Sequence, residues 1–395
     1  MKITSIDVFK TTLGSPPVVG SVWHPICIRI NTDEGISGFG EAGLAYGNAQ
    51  NAAFGMVKDY APMLIGWDPM KIEKIWEHLL RMTFWGMGGG GVISAGMSAI
   101  DIALWDIKGK ALGVPVYQLL GGKTNEKLRS YASQIQFDWD KKASAMITPE
   151  DYAGATRKAV ADGYDCIKVD PVGFDLKGKW MGWSNYGILQ YDQLKIGVER
   201  VAAIREVGGP KMDIIIEMHS LTDTNSAIQF GREIEKYNIF YYEEPVMPLN
   251  TVSMREINEK VKIPIASGER IYTRWGYRPF YESRALNVIQ PDLCNCGGLS
   301  EGKKICDMGH VYDVGVQIHI CGGPISTAAA LQIEAVIPNF LIHEHHQAAL
   351  IEDNIALCKY DYQPKNGYFE IPDRPGIGQE LSEEAMKTAE SVTFK

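Results

Sequence analysis

The sequence predicts an α/β fold, a parallel (β/α) barrel of about eight strands placed behind a separate α+β segment. Three observations predict it. From about residue 130, short runs rich in Val, Ile, Tyr and Phe take turns with segments of helical periodicity. Before that point strand-like alternation comes first and two long helical patterns follow it. At 395 residues, 45% hydrophobic and 22% charged, the chain is long enough for a large core and a smaller domain beside it.

The first segment, residues 1–129, opens with "ITSIDVF" and "HPICIRINTDEGISGFGEAG", where "ICIRI" reads as a strand and "NTDEGISG" as a polar turn into another. Helical periodicity follows in "MKIEKIWEHLLRMTFW" and "AGMSAIDIALWDIKGKALG", the second stopping at Gly113 with Pro115 just beyond. Between them, "GMGGGG" at 86–91 has no preceding strand and no following Lys-Ser/Thr, so it reads as a turn and not as a phosphate loop. Residues 130–360 supply the barrel. Its candidate strands are "YASQIQF", "DCIKVD", "DIIIEMH", "FYYEEP", "IPIASGE", "NVIQPD", "VQIHI" and "FLIHEHH". The helical runs between them include "NSAIQFGREIEKY", "LSEGKKICDMGHVY" and "ISTAAALQIEAV". The excursion at 174–190 is too long for a simple βα turn and reads equally as a lid or a surface loop. Residues 361–395 are Pro/Gly-rich and are expected to pack back on the first domain.

A net charge of −9 without a Lys/Arg block excludes general nucleic-acid binding. The start "MKITSIDVFKTTLG" lacks the apolar run of a signal peptide, and no window approaches 18 apolar residues, so no membrane association is expected. Seven cysteines without regular spacing fit a reducing, cytoplasmic setting. Cys294 and Cys296 near Cys321 lack the pairing of a metal site and read as buried thiols.

Chemistry gathers at the strand ends. Three successive candidate strands end in Glu217, Glu243 and Glu269, equally spaced by one βα unit. Equal spacing predicts carboxylates at equal height facing one volume, where they repel unless a cation joins them. Mg²⁺ suits three carboxylates completed by water and substrate oxygens. The alternative is salt bridging to Lys168 or Arg270. The next strand ends carry Asp292 and His319, a pair in which the carboxylate orients the ring as a general base. His219 lies two residues after Glu217, and Asp170 two after Lys168, so each pair is expected on one strand face. In "HEHH" (343–346) alternation splits the histidines between faces, and Glu344 is the residue expected to matter.

These residues resemble the enolase superfamily, in its mandelate racemase and muconate-lactonizing group, along essentially the whole chain. "AGMSAIDIALWDIKGKALGVPVYQLLGG" is similar to that group's first-domain signature, and "EMHSLTDTNSA…YEEP" to its second. The Glu217-x-His219 arrangement, the Asp292–His319 pair, Glu344 and "FWGMGGG" are most similar to acid-sugar dehydratases of the galactonate and mannonate type. The resemblance implies a modified (β/α)7β TIM-like barrel, an N-terminal α+β capping domain completed by the C-terminal segment, Mg²⁺, a small-molecule sugar-acid substrate and a homo-oligomer. Two departures stand out. The first ligand is usually Asp where this chain has Glu217. Many relatives carry Lys-x-Lys on the second strand where this chain has Lys168-Val169-Asp170, which disfavours a lysine-driven racemase.

The expected reaction is dehydration to a 2-keto-3-deoxy sugar acid. His319 takes the C2 proton, Asp292 orients it, protonated His219 assists loss of the 3-hydroxyl, and Glu344 bonds the developing enediolate through a shared proton. Metal with a His or Lys base is the handling of enolate chemistry general to enolase-type sites. Asp170 is a candidate for a substrate hydroxyl and Lys168 for the substrate carboxylate. Arg270, Trp23 and His24 are further substrate contacts, with 45–50 and 174–190, including Trp183 and Tyr186, as specificity loops. The rival readings are a Mg²⁺-dependent racemase or epimerase and a non-catalytic sugar-acid binder.

Overall fold

Alternation in the first residues produces a four-stranded antiparallel sheet. Its strands are β1 (Ile3–Lys10), β2 (Ile26–Thr32) and β3 (Ser37–Ala42), with β13 (Glu390–Phe394) from the chain end on the outer side of β1. Ile6, Val8, Ile26, Ile28 and Ile30 bury one face of it against helices α1 (Gln50–Tyr60), α2 (Ile72–Met82) and α3 (Gly91–Leu112). The computed structural model describes residues 1–15, 23–45, 47–181 and 187–395. Trp183 and Tyr186, and Tyr46 within 45–50, lie outside the described residues.

Helix α3 is apolar nearly all round because it is covered on both sides. It lies directly on β3: a Cβ on Gly38 or Gly40 would come within 2.1 Å of Ala103 O or 1.9 Å of Ala99 O. It ends as expected at Gly113, in the left-handed region at φ 70°. The glycine run at 86–91 forms a 3₁₀ turn, Trp85–Gly88, that leads into α3 and follows no strand.

The second unit is a parallel sheet of eight strands: β4 (Lys127–Ser133), β5 (Cys166–Val169), β6 (Asp213–Glu217), β7 (Tyr241–Glu243), β8 (Ile265–Ser267), β9 (Val288–Ile289), β10 (Gly315–Val316) and β11 (His343–His346). They run in sequence order from β4 to β10, and β11 lies on the far side of β4. A parallel bridge between Val316 and Phe340 closes the ring. β12 (Tyr368–Glu370) pairs antiparallel with β4 at its base. Alternation sorts the side chains. Ile214 and Ile216 join the layer under the helices, while Ile215 fills the barrel interior with Tyr131, Tyr241 and Ile342.

The strands are shorter than the apolar runs suggest, and this matters at the site. "YASQIQF" is strand only to Ser133, because Gln134 turns left-handed at φ 71° and a 3₁₀ turn follows. Asp170, His219, Glu269, Asp292 and His319 all lie beyond the ends of their strands. Among the described residues no helix is long and apolar enough to cross a membrane.

Candidate active site

The triple isoleucine of β6 delivers Glu217 to the C-terminal mouth of the barrel, where it stands opposite Glu243 in register. Glu269 arrives differently. Glu243 pairs with Ala266, three residues earlier, so equal spacing in sequence does not place Glu269 at equal height on the ladder. Its chain has left β8 at Gly268, where a Cβ would meet Gln290 N at 2.4 Å. The side chain returns from that turn, and one oxygen from each of the three glutamates lies within 4.8 Å of the others.

Lys168 sits beneath them, buried, with Nζ 2.8 Å from Glu243 Oε1, 2.9 Å from Glu344 Oε1 and 3.4 Å from Glu217 Oε2. The salt bridge weighed as an alternative is therefore present together with the cluster. It does not complete it: Glu217 Oε2 and Glu243 Oε2 are buried without a hydrogen bond. Burial and the Glu217 charge push Glu243 well above the usual carboxylate range. Glu217 is held below that range against its own burial, by His219 and Lys168. Hard oxygens gathered from three carboxylates, two of them buried without a hydrogen bond, suit a divalent cation, so Glu217, Glu243 and Glu269 fit Mg²⁺. Adding Mg²⁺ to chelator-treated protein is expected to raise Tm, as a ligand that binds only the folded state does. The rise should vanish in Glu243→Gln. An equal rise in both proteins would place the ion elsewhere.

Two histidine–aspartate pairs stand at the ends of the glutamate row. His319 Nδ1 is 2.8 Å from Asp292 Oδ2 and its Nε2 is 3.1 Å from Glu269 Oε2. Asp292 is itself fixed by the Cys294 N–H at 2.7 Å. At the other end His219 Nδ1 is 2.9 Å from Asp170 Oδ2, and Nε2 is 4.0 Å from Glu217 Oε2. Strand alternation does not bring His219 there. β6 has ended, and a left-handed turn at His219 (φ 44°) and Ser220 (φ 60°) swings the ring back, with the His219 N–H donating to Glu217 Oε1 at 2.8 Å. Burial opposes the charged form of both rings and the carboxylates outweigh it. His219 is pushed up to about 9 by Glu217 and Asp170, and His319 is held well above its ordinary value by Glu269 and Asp292.

Several of the expected contacts have partners within the chain. Asp170, a candidate for a substrate hydroxyl, is engaged by His219 and by the Val172 N–H. Glu344 accepts from Ser133 Oγ at 2.7 Å and from the Ile320 N–H at 2.9 Å. Burial raises its pKa, but Lys168 and His319 outweigh that and hold it at about 2. Ser133, Ile320 and Lys168 together engage both of its oxygens. Arg270 forms an ion pair with buried Glu244 and donates to Ser220 Oγ, and one side of it borders the cleft. Trp23 is buried and His24 Nδ1 lies 2.8 Å from Thr11 O; neither is among the residues lining the cleft.

That cleft, of about 260 Å³, is bounded by His319, Asp292, Glu269 and Arg270 on the barrel side and by Gly43, Leu44, Gly47 and Ala49 from the first domain. Tyr272, Cys294, Asn295, Cys321 and Gly322 also line it, and of these Tyr272 and Asn295 carry no pattern in the sequence. His346 was within reach of sequence reading: two residues after Glu344 it shares that face, and the pKa of its buried ring is held at about 3. His343 and His345 face outward to Glu334 and Tyr164. Cys294 and Cys296 are buried free thiols, and among the described residues only the three glutamates form a metal-sized cluster.

Comparison with known proteins agrees with this architecture. Residues 151–385 match the family described as enolase C-terminal domain-like, and residues 20–121 the mandelate racemase / muconate lactonizing enzyme N-terminal domain. The chain is 34% identical to a D-xylonate dehydratase of Haloferax volcanii over 366 residues, 92% of this chain and 84% of that one. It is 33% identical to a D-galactonate dehydratase of Pectobacterium atrosepticum over 394 residues, 98% and 94% of the two chains. A crystal structure of an enolase superfamily member from Salmonella Typhimurium, 58% identical, superposes with a TM-score of 0.95 over the whole of both chains. The cap over a closed parallel barrel, the glutamate row at its mouth and these matches together make the chain a member of the enolase superfamily, in its mandelate racemase and muconate-lactonizing group.

Proposed function

We propose that the protein is a Mg²⁺-dependent hydro-lyase that converts a sugar acid to its 2-keto-3-deoxy product. The observation that carries this reading is the presence of two histidine–aspartate pairs, one at each end of the glutamate row. A proton α to a carboxylate is very weakly acidic, and elimination also needs a proton delivered to the departing hydroxyl, so two proton transfers are needed and the two pairs offer a separate group for each. When bound, a divalent cation supplies positive charge where negative charge builds on the substrate carboxylate.

His319 is the base: Asp292 holds Nδ1, leaving Nε2 to take the C2 proton and open the enediolate. Nε2 lies 3.1 Å from Glu269 Oε2, and a cation held by Glu269 would compete with the ring for that carboxylate. His219, kept protonated by Glu217 and Asp170, gives its proton to the 3-hydroxyl, which leaves as water. The enol then tautomerises to the ketone. Lys168 is occupied by three carboxylates and is not placed as a base, which weighs against lysine-driven racemisation. Relatives named for D-galactonate and D-xylonate support a sugar-acid substrate.

His219→Asn is expected to stop keto-acid formation while leaving exchange of the substrate C2 hydrogen with D₂O. Screening mono- and diacid sugars with Mg²⁺ in D₂O tests the assignment. Deuterium at C2 with every hydroxyl retained in the wild-type product would replace dehydration by epimerisation.

A further inference from the structure

Two barrel helices begin directly after a glycine. Helix Gly298–Val311 starts after Gly297 and helix Pro324–Glu334 after Gly323, and neither residue has a side chain to receive the first free amides. In three other barrel helices the preceding residue does this: Thr148, Asp223 and Asn250 accept from the N–H groups of Asp151, Ser226 and Ser253. At the two glycine starts the acceptors come from the first domain. Glu41 on β3 receives the Gly323 N–H at 2.6 Å and the Ser326 N–H at 3.2 Å. Asp101 on α3 receives the Ser300 N–H at 2.9 Å and the Ser300 hydroxyl at 2.6 Å. Both carboxylates are buried. The approach leaves no room for a side chain, since a Cβ on Gly298 would lie 2.4 Å from Asp101 Oδ2 and one on Gly322 2.7 Å from Glu41 Oε1.

The segments leading into these helices, 292–297 and 319–323, begin at Asp292 and His319. The first is gripped twice more from the same domain: the Gly43 N–H donates to Cys294 O at 2.8 Å, and Ser98 Oγ accepts from the Gly297 N–H at 2.9 Å. The 2.8 Å bond between Asp292 and His319 thus joins side chains on two separate loops. Its length depends on how those loops are placed relative to each other. Glu41 and Asp101 belong to one rigid unit, because α3 lies on the backbone of β3 with no side chain between them at Gly38 and Gly40.

We propose that Glu41 and Asp101 are positioning residues for the base: the first domain holds both loops at a set separation and so assembles the Asp292–His319 pair only when it is seated on the barrel. The catalytic consequence rests on the dehydratase reading above, whereas the grip on the loops does not.

The test compares Glu41→Gln and Asp101→Asn with the wild-type full-length chain, near-isosteric changes that turn one accepting oxygen of each grip into a donor. Amide hydrogen exchange is read in peptides covering 319–327 and 293–302, with 149–161, a helix capped by its own Thr148, as the reference. Glu41→Gln should speed exchange in the first segment and Asp101→Asn in the second, the reference remaining unchanged. With D-galactonate and D-xylonate as probes, kcat should fall on the order of 10–100-fold, the cost of a small misplacement of a reacting group, with KM little changed. Unchanged exchange, a uniform rise across all three peptides, or a raised KM at constant kcat would each overturn the proposal. If wild-type protein forms no keto acid from either probe, the dehydratase reading is what suffers; segment-specific exchange in the variants would still support the grip, and its absence would overturn it.

Discussion

His319→Asn is expected to reduce keto-acid formation by roughly 10²–10⁴-fold, the contribution typical of a positioned general base, and to abolish exchange of the substrate C2 hydrogen with D₂O. Both losses are required, because His319 acts before the step that His219 serves. The substitution keeps a polar side chain against Asp292, so the fold should survive, and circular dichroism and Tm should match wild type. The paired result with His219→Asn is the sharper one. If the two histidines stand at opposite ends of one reaction, the His219 variant exchanges the hydrogen without losing water and the His319 variant does neither. Should His319→Asn keep C2 exchange, the base lies elsewhere, and His346, on the same strand face as Glu344, becomes the group to examine. Equal loss of exchange in both variants would instead favour two bases acting on one carbon.

The barrel was legible because its periodicity is strong: short apolar runs alternating with helical segments leave few alternative topologies. The glutamate row was legible for a related reason, the carboxylates recurring at equal spacing after successive apolar runs. What sequence could not supply is what the backbone does after the strands end. Glu269 was read as a strand terminus level with its neighbours, and it reaches the cluster from a turn three residues beyond the register. His219 was placed by alternation and arrives through a left-handed turn that alternation cannot describe. Glu41 and Asp101 sat unmarked inside a strand and a helix, since their partners are amides of distant loops and amides leave no trace in residue identity. Trp23 and His24 were chosen for aromatic and polar character alone; Trp23 is buried and His24 Nδ1 lies against the Thr11 carbonyl.

Lys168→Met is expected to destabilise the cation-free protein by about 3–5 kcal/mol, the usual consequence of removing one partner from a buried ion cluster. Methionine nearly fills the volume but brings no charge, and Glu217, Glu243 and Glu344 are then left facing one another in the barrel mouth without their shared ammonium. Burial alone would depress the lysine, and the three carboxylates together hold its pKa well above the ordinary value, so the ammonium is firmly part of the folded state. The pH dependence follows in sign. Without the lysine these glutamates bind protons more tightly folded than unfolded, so stability falls as pH rises above the ordinary carboxylate pKa of about 4.3. The deficit relative to wild type should therefore be small near that pH and grow toward neutrality, as urea unfolding measures. Mg²⁺ should recover part of the loss, since a cation on the glutamates relieves the same repulsion. A lysine that served only to bind the substrate carboxylate predicts something else: unchanged stability at every pH and a raised KM. That outcome would mean that the cluster tolerates its charge without help, and that the departure from Lys-x-Lys at Asp170 left the role of Lys168 untouched.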